Sequence, residues 1–271
     1  LWTALLLAFG GAMVAAATVT LGYRALFGGG TRLLSNDGGS PALRAITAIY
    51  GLILAFMLAA SLQSYGAAQT QVTAEADSVV AMGNLSLILP APVSTKLHND
   101  LACYARVVVN REFPAMTAHN YQPLDDDRPI LAMYGTLSAA QRAGQVTSAD
   151  LSATVQQLST LTSQRDARIR SAHNALPWVV WTVLIAGGVI VMLAVGAVTL
   201  IDRPWPQFFI LWAVGTIIAT ALTLVSALSS PYSTAGLSIT SEPMKATIRT
   251  LGVPTAPCSY AGLPLDDTRS R

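Results

Sequence analysis

Hydrophobic and polar positions divide the chain into four long apolar runs and one extended amphipathic region. Asp, Glu, Lys and Arg are absent from residues 1–23, 45–74, 171–201 and 204–241, and a bilayer-crossing helix needs about 20 mostly apolar residues. The pattern predicts transmembrane helices near 2–22, 43–64, 177–200 and 207–229. The first run lacks the basic stretch that opens a cleaved secretory signal and is long enough to cross, so it is read as a span.

The second run passes from oil to water without a turn. In TAIYGLILAFMLAASLQSYGAAQTQVTAEADS, residues 47–78, Val72, Ala76, Val79 and Val80 still recur at helical spacing beyond Tyr65, while Gln69, Gln71, Glu75 and Asp77 fill much of the rest. The period of 3.6 survives the change of solvent. One helix is expected from about residue 45 to the LPAP break at 89–92, roughly 65 Å at 1.5 Å per residue and about twice the hydrocarbon thickness.

The outer half of that helix must bury its apolar stripe against something. Leu97, Leu101, Tyr104 and Val108 predict a helix near 94–112 that EFP at 112–114 ends. A further helix begins around Pro129 and runs past Met133 and Leu137 towards Gly144. TSAD at 147–150 resembles a capping box, and Leu151, Val155, Leu158 and Leu161 or Thr162 carry a stripe towards Arg165, Ile169 and the third span. After the fourth span, SEPMKATIRTL predicts a short helix capped by Ser241, with Met244, Ile248 and Leu251 on one face, and the Pro-rich tail beyond Gly252 reads as extended and able to wrap a neighbour.

The expected fold is therefore an all-α membrane protein with four transmembrane helices, the second and third extending into an extracytoplasmic helical bundle and rigidly coupled to it. Its divisions are 1–64 (two spans and a cytoplasmic connection), 65–176 (the bundle), 177–230 (two spans) and 231–271 (a short helix and tail).

Composition agrees. The chain is 52% hydrophobic and 11% charged, where a soluble domain carries roughly 25% charge. Sixteen basic and 14 acidic residues give +2, with no dense basic run, which excludes nucleic acid as a partner. The expected partners are the lipid bilayer and either further copies of the chain or other integral membrane subunits; no cofactor is expected.

Arg24, Arg32 and Arg44 flank the first connection and Arg203 sits in the LIDRPWPQFF turn, which places both on the cytoplasmic side and both termini with 65–176 outside. Trp205, Phe208 and Phe209 suit an aromatic belt at the inner surface. Cys103 and Cys258 then share one oxidising side, where they either form a disulfide or stand as two unrelated thiols.

Candidate chemistry is sparse. Thr216, Thr220, Thr223, Ser226 and Ser230 lie within a sector of roughly 120° at 100° per residue. These hydroxyls either line a wet pore or serve helix packing. Gly187, Gly188 and Gly196, like Gly10 and Gly11, read as sites of close helix approach. No carboxylate or amine sits mid-span, against a proton pump or ion-coupled transporter. His98, His119 and His173 are not paired at ligand spacing and read as structural or solvated. Asp125, Asp126 and Asp127 lack the pattern of a calcium loop and read as an exposed turn capping the next helix. FGGGTR at 27–32 lacks the end of a phosphate loop. Arg165, Arg168 and Arg170 read as interfacial anchors, with lipid phosphate or vestibule anions as the alternative.

Scattered residues carry a family resemblance. Tyr50, Phe56, Tyr65, Ala68, Val72, Glu75 and Ala76 resemble the signature of the bacterial bestrophin-like membrane proteins, a family defined by a domain of unknown function. REFP, with Glu112 and Pro114, is similar to that family's acidic-aromatic-proline element. RDARIRSAHNALPWVVW resembles its paired arginines, here Arg165 and Arg168, before Pro177 and Trp181. The likeness runs in order from 43 to about 250. At the close of the last span the family has Pro-Phe, one residue, then Gly, whereas this chain has two more residues between Pro231 and Gly236.

The resemblance implies an oligomeric ion pathway, with no activity that can be carried over residue by residue. Two classes follow: a non-enzymatic oligomer forming such a pathway, or an accessory or structural subunit docked on a larger membrane complex. An enzyme is disfavoured, since no nucleophile-base pair or metal set can be assembled.

Overall fold

A computed structural model describes residues 2–27, 39–117, 127–173, 176–199, 204–233, 237–252, 254–256 and 258. These residues hold nine α-helices, one π-helix and no strand: α1 (Trp2–Phe27), α2 (Gly39–Ser86), α3 (Ala91–Val107), the π-helix (Val108–Glu112), α4 (Phe113–Thr117), α5 (Arg128–Arg142), α6 (Ser148–His173), α7 (Trp178–Val198), α8 (Pro204–Ser229) and α9 (Glu242–Leu251). Four stretches are long and apolar enough to cross a membrane, Leu6–Leu26, Pro41–Ser86, Trp178–Val198 and Trp205–Ser229. The protein is thus an all-α membrane protein with the four expected spans.

Helix α2 is unbroken over 48 residues, about 72 Å, and passes Tyr65 without a turn. The third span differs, because α6 ends at His173 and α7 begins at Trp178. Pro177 stands between them as the residue preceding α7. Its ring has no N–H to give and would collide with the carbonyl four residues back, and it drives Leu176 out of the helical region. The expected extension of the third span is therefore a helix of its own.

The chain forms two compact units. Unit 1 comprises Leu1–Tyr65, Asn174–Pro231 and Ala235–Leu237, and unit 2 comprises Gly66–His173, Tyr232–Thr234 and Ser238–Arg271.

In unit 1, α1 packs on α8 and α7 packs on both. The core joins Ala16, Tyr50, Val191, Met192, Val195 and Leu211. Without a side chain, Gly187 admits the Tyr50 ring, since a Cβ there would lie 2.7 Å from Tyr50 Cδ2, and a Cβ on Gly196 would lie 2.9 Å from Tyr23 Cε2. Close approach of this kind is what holds apolar helices together in lipid, where no hydrophobic force acts between them. Gly10 and Gly11 serve no such contact within the described residues, where an added Cβ would meet nothing within 4 Å. The tyrosines that fill the glycine gaps also satisfy their hydroxyls on backbone: Tyr50 donates to the Leu184 carbonyl at 3.0 Å and Tyr23 to that of Leu193 at 3.0 Å.

In unit 2, α3 packs on α5 and α9, and α5 on α6. Val79 and Met82 of α2, Leu97 and Leu101 of α3, Met133 and Leu137 of α5, Leu158 and Leu161 of α6 and Met244 of α9 are buried. The start of α6 carries reciprocal caps: Asp150 N–H donates to Thr147 Oγ1 at 3.2 Å and the Thr147 hydroxyl donates to Asp150 Oδ2 at 2.6 Å. Ser241 precedes α9 but makes no side-chain cap bond.

The stop expected at EFP does not occur. The backbone widens into the π-helix, where Phe113 N–H bonds Val108 O, and continues as α4. The wide turn leaves Pro114 in a first turn, where its missing N–H costs nothing. Cys103 and Cys258 are joined in a disulfide with Cα atoms 5.7 Å apart.

Candidate functional site

The most developed polar site lies inside unit 2. Helix α2 contributes Glu75, α3 Tyr104, the π-helix Glu112, and α6 Arg165 and Arg168, which share one face at a spacing of three. Glu75 and Arg168 are 0% exposed, Glu112 1% and Arg165 2%. The Arg168 guanidinium bridges both carboxylates: Nε donates to Glu75 Oε2, and Nη2 to Glu75 Oε1 and Glu112 Oε2. Arg165 donates from Nε and Nη2 to Glu112 Oε1 at 3.2 and 2.9 Å. Its Nη1 reaches Asp127 Oδ1 at 2.5 Å, and the Asp127 side chain is 69% exposed. The chain of charge thus runs from a sealed interior to the surface of the unit.

Neighbouring side chains complete the enclosure. The Tyr104 hydroxyl donates to Glu75 Oε1 at 2.5 Å. Arg168 lies over the Phe113 ring, 5.4 Å from its centroid, and directs Nη1 at Met116 Sδ at 3.1 Å. Tyr232 meets Phe113 edge-on with centroids 6.2 Å apart, and its hydroxyl shares a hydrogen bond with Ser171 Oγ at 3.1 Å.

Burial would raise the Glu112 carboxyl, but the guanidinium groups of Arg168 and Arg165 outweigh it and hold it below the ordinary value. Burial likewise opposes the charge on Arg168, yet Glu75 and Glu112 outweigh it and fix the guanidinium as a cation. Burial and the Glu75 charge push the Tyr104 hydroxyl well above its usual range. Glu112, Arg168 and Tyr104 are each held by these neighbours in one protonation state near neutral pH. Two buried cations balance two buried anions, which is the condition for burying any of them. The cluster is a clasp joining α2, the π-helix and α6. Among the described residues no set of three or more His, Cys, Asp or Glu could hold a metal ion.

The structure brings together Glu75, Glu112, Arg165 and Arg168, and Pro114 follows the π-helix. Arg165 and Arg168 are not interfacial anchors and face neither lipid nor a vestibule, because each is consumed by buried carboxylates; Arg170 is exposed. Asp127 does not cap α5, since its side chain makes no cap bond and pairs with Arg165 instead. Asp125, Asp126, Arg32, Arg203, His119 and Gly236 lie outside the described residues. Tyr50 belongs to the core of unit 1, Phe56 is exposed, Tyr65 and Trp181 are half-buried, and Pro231 is buried at the end of unit 1.

Met116 lies in none of the sequence motifs, whereas Phe113 is the aromatic of REFP, Ser171 lies within RDARIRSAHNALPWVVW and Tyr232 follows Pro231, none of them marked there as a site residue. A signal for the ionic members exists: Glu75 follows Val72 by three and precedes Val79 by four, Glu112 follows Val108 by four, and Arg165 and Arg168 follow Leu161 by four and seven. All four occupy positions on an apolar stripe, where a charge needs a buried partner.

The hydroxyl stripe is on α8. Thr223 donates to the Ala219 carbonyl of its own preceding turn at 2.8 Å, whereas Thr216 Oγ1 is shielded and has no partner among the described residues. Thr216 and Thr220 are half-buried, Ser226 is exposed and Ser230 is half-buried. An apolar cavity of about 430 Å³ between α1, α7 and α8 is lined by Ala12, Gly188, Met192, Gly215 and Ala219 among others, and none of the five stripe residues lines it. Its one hydroxyl, on Thr18, already donates to Val14 O at 2.8 Å.

The sequence model of a family described as Bestrophin-like domain matches residues 10–244. The fold is similar to the crystal structure of a bacterial Bestrophin homolog from Klebsiella pneumoniae, with TM-score 0.66, 13% identity, and 92% of this chain and 94% of that one covered. A variant of that homolog with one tryptophan replaced by alanine gives TM-score 0.68 at 12% identity over 92% and 94%. A crystal structure described only as a membrane protein gives 0.65 at 13% identity over the same shares. No curated protein matches the chain in sequence.

Proposed function

The chain belongs to the bestrophin-like domain family, and from that premise we propose that copies of it assemble in a membrane around a hydrated ion path and catalyse no reaction. Family membership across residues 10–244 carries this reading. The path is lined by the α8 stripe of Thr216, Thr220, Thr223, Ser226 and Ser230. Thr216, Thr220, Thr223 and Ser230 are half-buried and Ser226 is exposed in the single chain, which leaves part of the stripe open to water or to a neighbouring copy.

Unit 2 lies outside the cytoplasm in this reading. The Cys103–Cys258 disulfide supports that placement, because such bonds persist on the oxidising side of a membrane, and Arg24 and Arg44 near the other ends of the first two spans agree with it. The N-terminus and the tail share the side of unit 2.

The back-bonded Thr223 favours the second reading, an accessory subunit whose stripe is packing rather than lining. The stoichiometry of the protein extracted gently from its native membrane separates the two. Identical copies that conduct in a planar bilayer, with conductance reduced by Thr220→Leu or Thr223→Leu, support the pathway. A single copy held among unlike chains sinks it, and unchanged conductance in both variants removes α8 as the lining.

A further inference from the structure

The end of α9 and the segment after it are fastened to α3 at three places. Gly252, with φ of +81°, ends α9 in a conformation that side chains resist. His98 Nε2 donates to the Leu251 carbonyl at 2.8 Å, filling one of the acceptors a helix end leaves open. One residue on, Asn99 Oδ1 accepts the Ala256 N–H at 2.9 Å, and one turn further Cys103 is bonded to Cys258. The same Asn99 directs its Nδ2 at Cys103 Sγ at 3.9 Å. Asn99 and Cys103 thus lie one turn apart on one α3 face, with His98 beside Asn99.

Helix α9 is held in another way. Met244, Thr247 and Leu251 are buried, the Thr247 hydroxyl points at the Ala76 carbonyl at 3.5 Å, and Leu251 Cδ2 fills the space where a Cβ on Gly83 would lie 3.0 Å away. Apolar burial holds the helix, whereas the strap that follows has one exposed backbone hydrogen bond and one covalent bond.

We propose that the Cys103–Cys258 bond is a redox latch, which on reduction by a dithiol frees Ala256 and Cys258 from α3 while α9 stays docked. Cys103 is 0% exposed and Cys258 is half-buried, so the attacking thiolate reaches Cys258 Sγ. The sulfur–sulfur bond breaks, the Cys103 sulfur leaves with the electron pair and takes up a proton, and the reductant is joined to Cys258. Its second thiol then displaces the Cys258 sulfur. The reductant ends as a disulfide and the protein as two thiols, a transfer of two electrons. The Ala256–Asn99 bond that remains is open to water and too weak to hold the strap alone.

The whole chain in detergent micelles, with and without dithiothreitol, tests this by hydrogen exchange and maleimide labelling. Reduction is expected to speed exchange at the Ala256 amide at least tenfold and to expose Cys258 to maleimide, leaving the α9 amides unchanged. Unchanged protection at Ala256, resistance of the bond to the dithiol in the folded chain, or loss of protection in α3 and α9 together would each overturn the latch. Cys258→Ser should reproduce the reduced pattern; if that variant does not fold, reduction of the unaltered protein decides the matter without it.

Discussion

The two units bury polar groups by opposite means. In unit 1 the Tyr50 hydroxyl, its ring set into the gap left by Gly187, makes a buried neutral contact with the Leu184 carbonyl. In unit 2 the buried cluster is ionic, with Arg165 and Arg168 closed on Glu75 and Glu112. In lipid a helix has no water to desert, so packing and a few neutral hydrogen bonds must supply the cohesion. A bundle in water can gather its core by apolar burial and then use a balanced set of charges to fix which helix faces meet. The contrast teaches that the same all-helical fold assigns its specificity to shape on one side and to charge on the other.

The comparison breaks most readily at Arg168. Arg168→Met keeps the length of the side chain but leaves Glu75 and Glu112 without their shared cation, and an uncompensated buried charge of this kind costs about 3–5 kcal/mol. Hydrogen exchange should show α3 and α6 losing protection in the variant. Retained protection there would mean that apolar packing alone specifies unit 2. Lysine at the same place should rescue little, since an ammonium cannot bridge two carboxylates in the planar fork that Arg168 uses.

Acid acts on the same network more gently. Glu112 is held below 4.5, its ordinary value, so its contribution to stability is fully present above that value and is lost as pH falls through the lower folded one. Thermal unfolding of unit 2 should be flat above about pH 5 and decline below about pH 4. A stability that rises on acidification would contradict the pairing.

Much of this architecture is legible in the sequence because it rests on periodicity. The charge-free runs mark four spans, and the stripe through Val72, Ala76 and Val79 carries α2 past Tyr65. The π-helix is not legible, because a five-residue widening leaves no period of its own, and Pro114 reads as a stop until the wider turn is seen. The break between α6 and α7 is marked only by Pro177, in a run whose apolar pattern continues across it. The ionic clasp is legible in part: its four charged members sit in register with apolar stripes, yet which carboxylate meets which guanidinium depends on helix placement that no local pattern encodes. Tyr232 joins the site from 61 residues beyond Ser171, a distance over which spacing carries no signal.

The smallest expected effect measures the contrast most directly, since one hydroxyl can be removed from each unit. Tyr50→Phe deletes the bond to the Leu184 carbonyl, a neutral contact worth about 0.5–1.5 kcal/mol. The lower end is expected, because that carbonyl lies inside α7 and keeps its helical partner. Tyr104→Phe deletes the bond to Glu75 Oε1, where the acceptor is charged and sealed from water, and about 1.5–3 kcal/mol is at stake. Both substitutions keep the ring and its packing, so the difference isolates the acceptor. Thermal unfolding of the two variants in one detergent should give the larger loss to Tyr104→Phe. Equal losses would mean that Arg168 already saturates Glu75 and that the tyrosine is a bystander to the clasp rather than part of it.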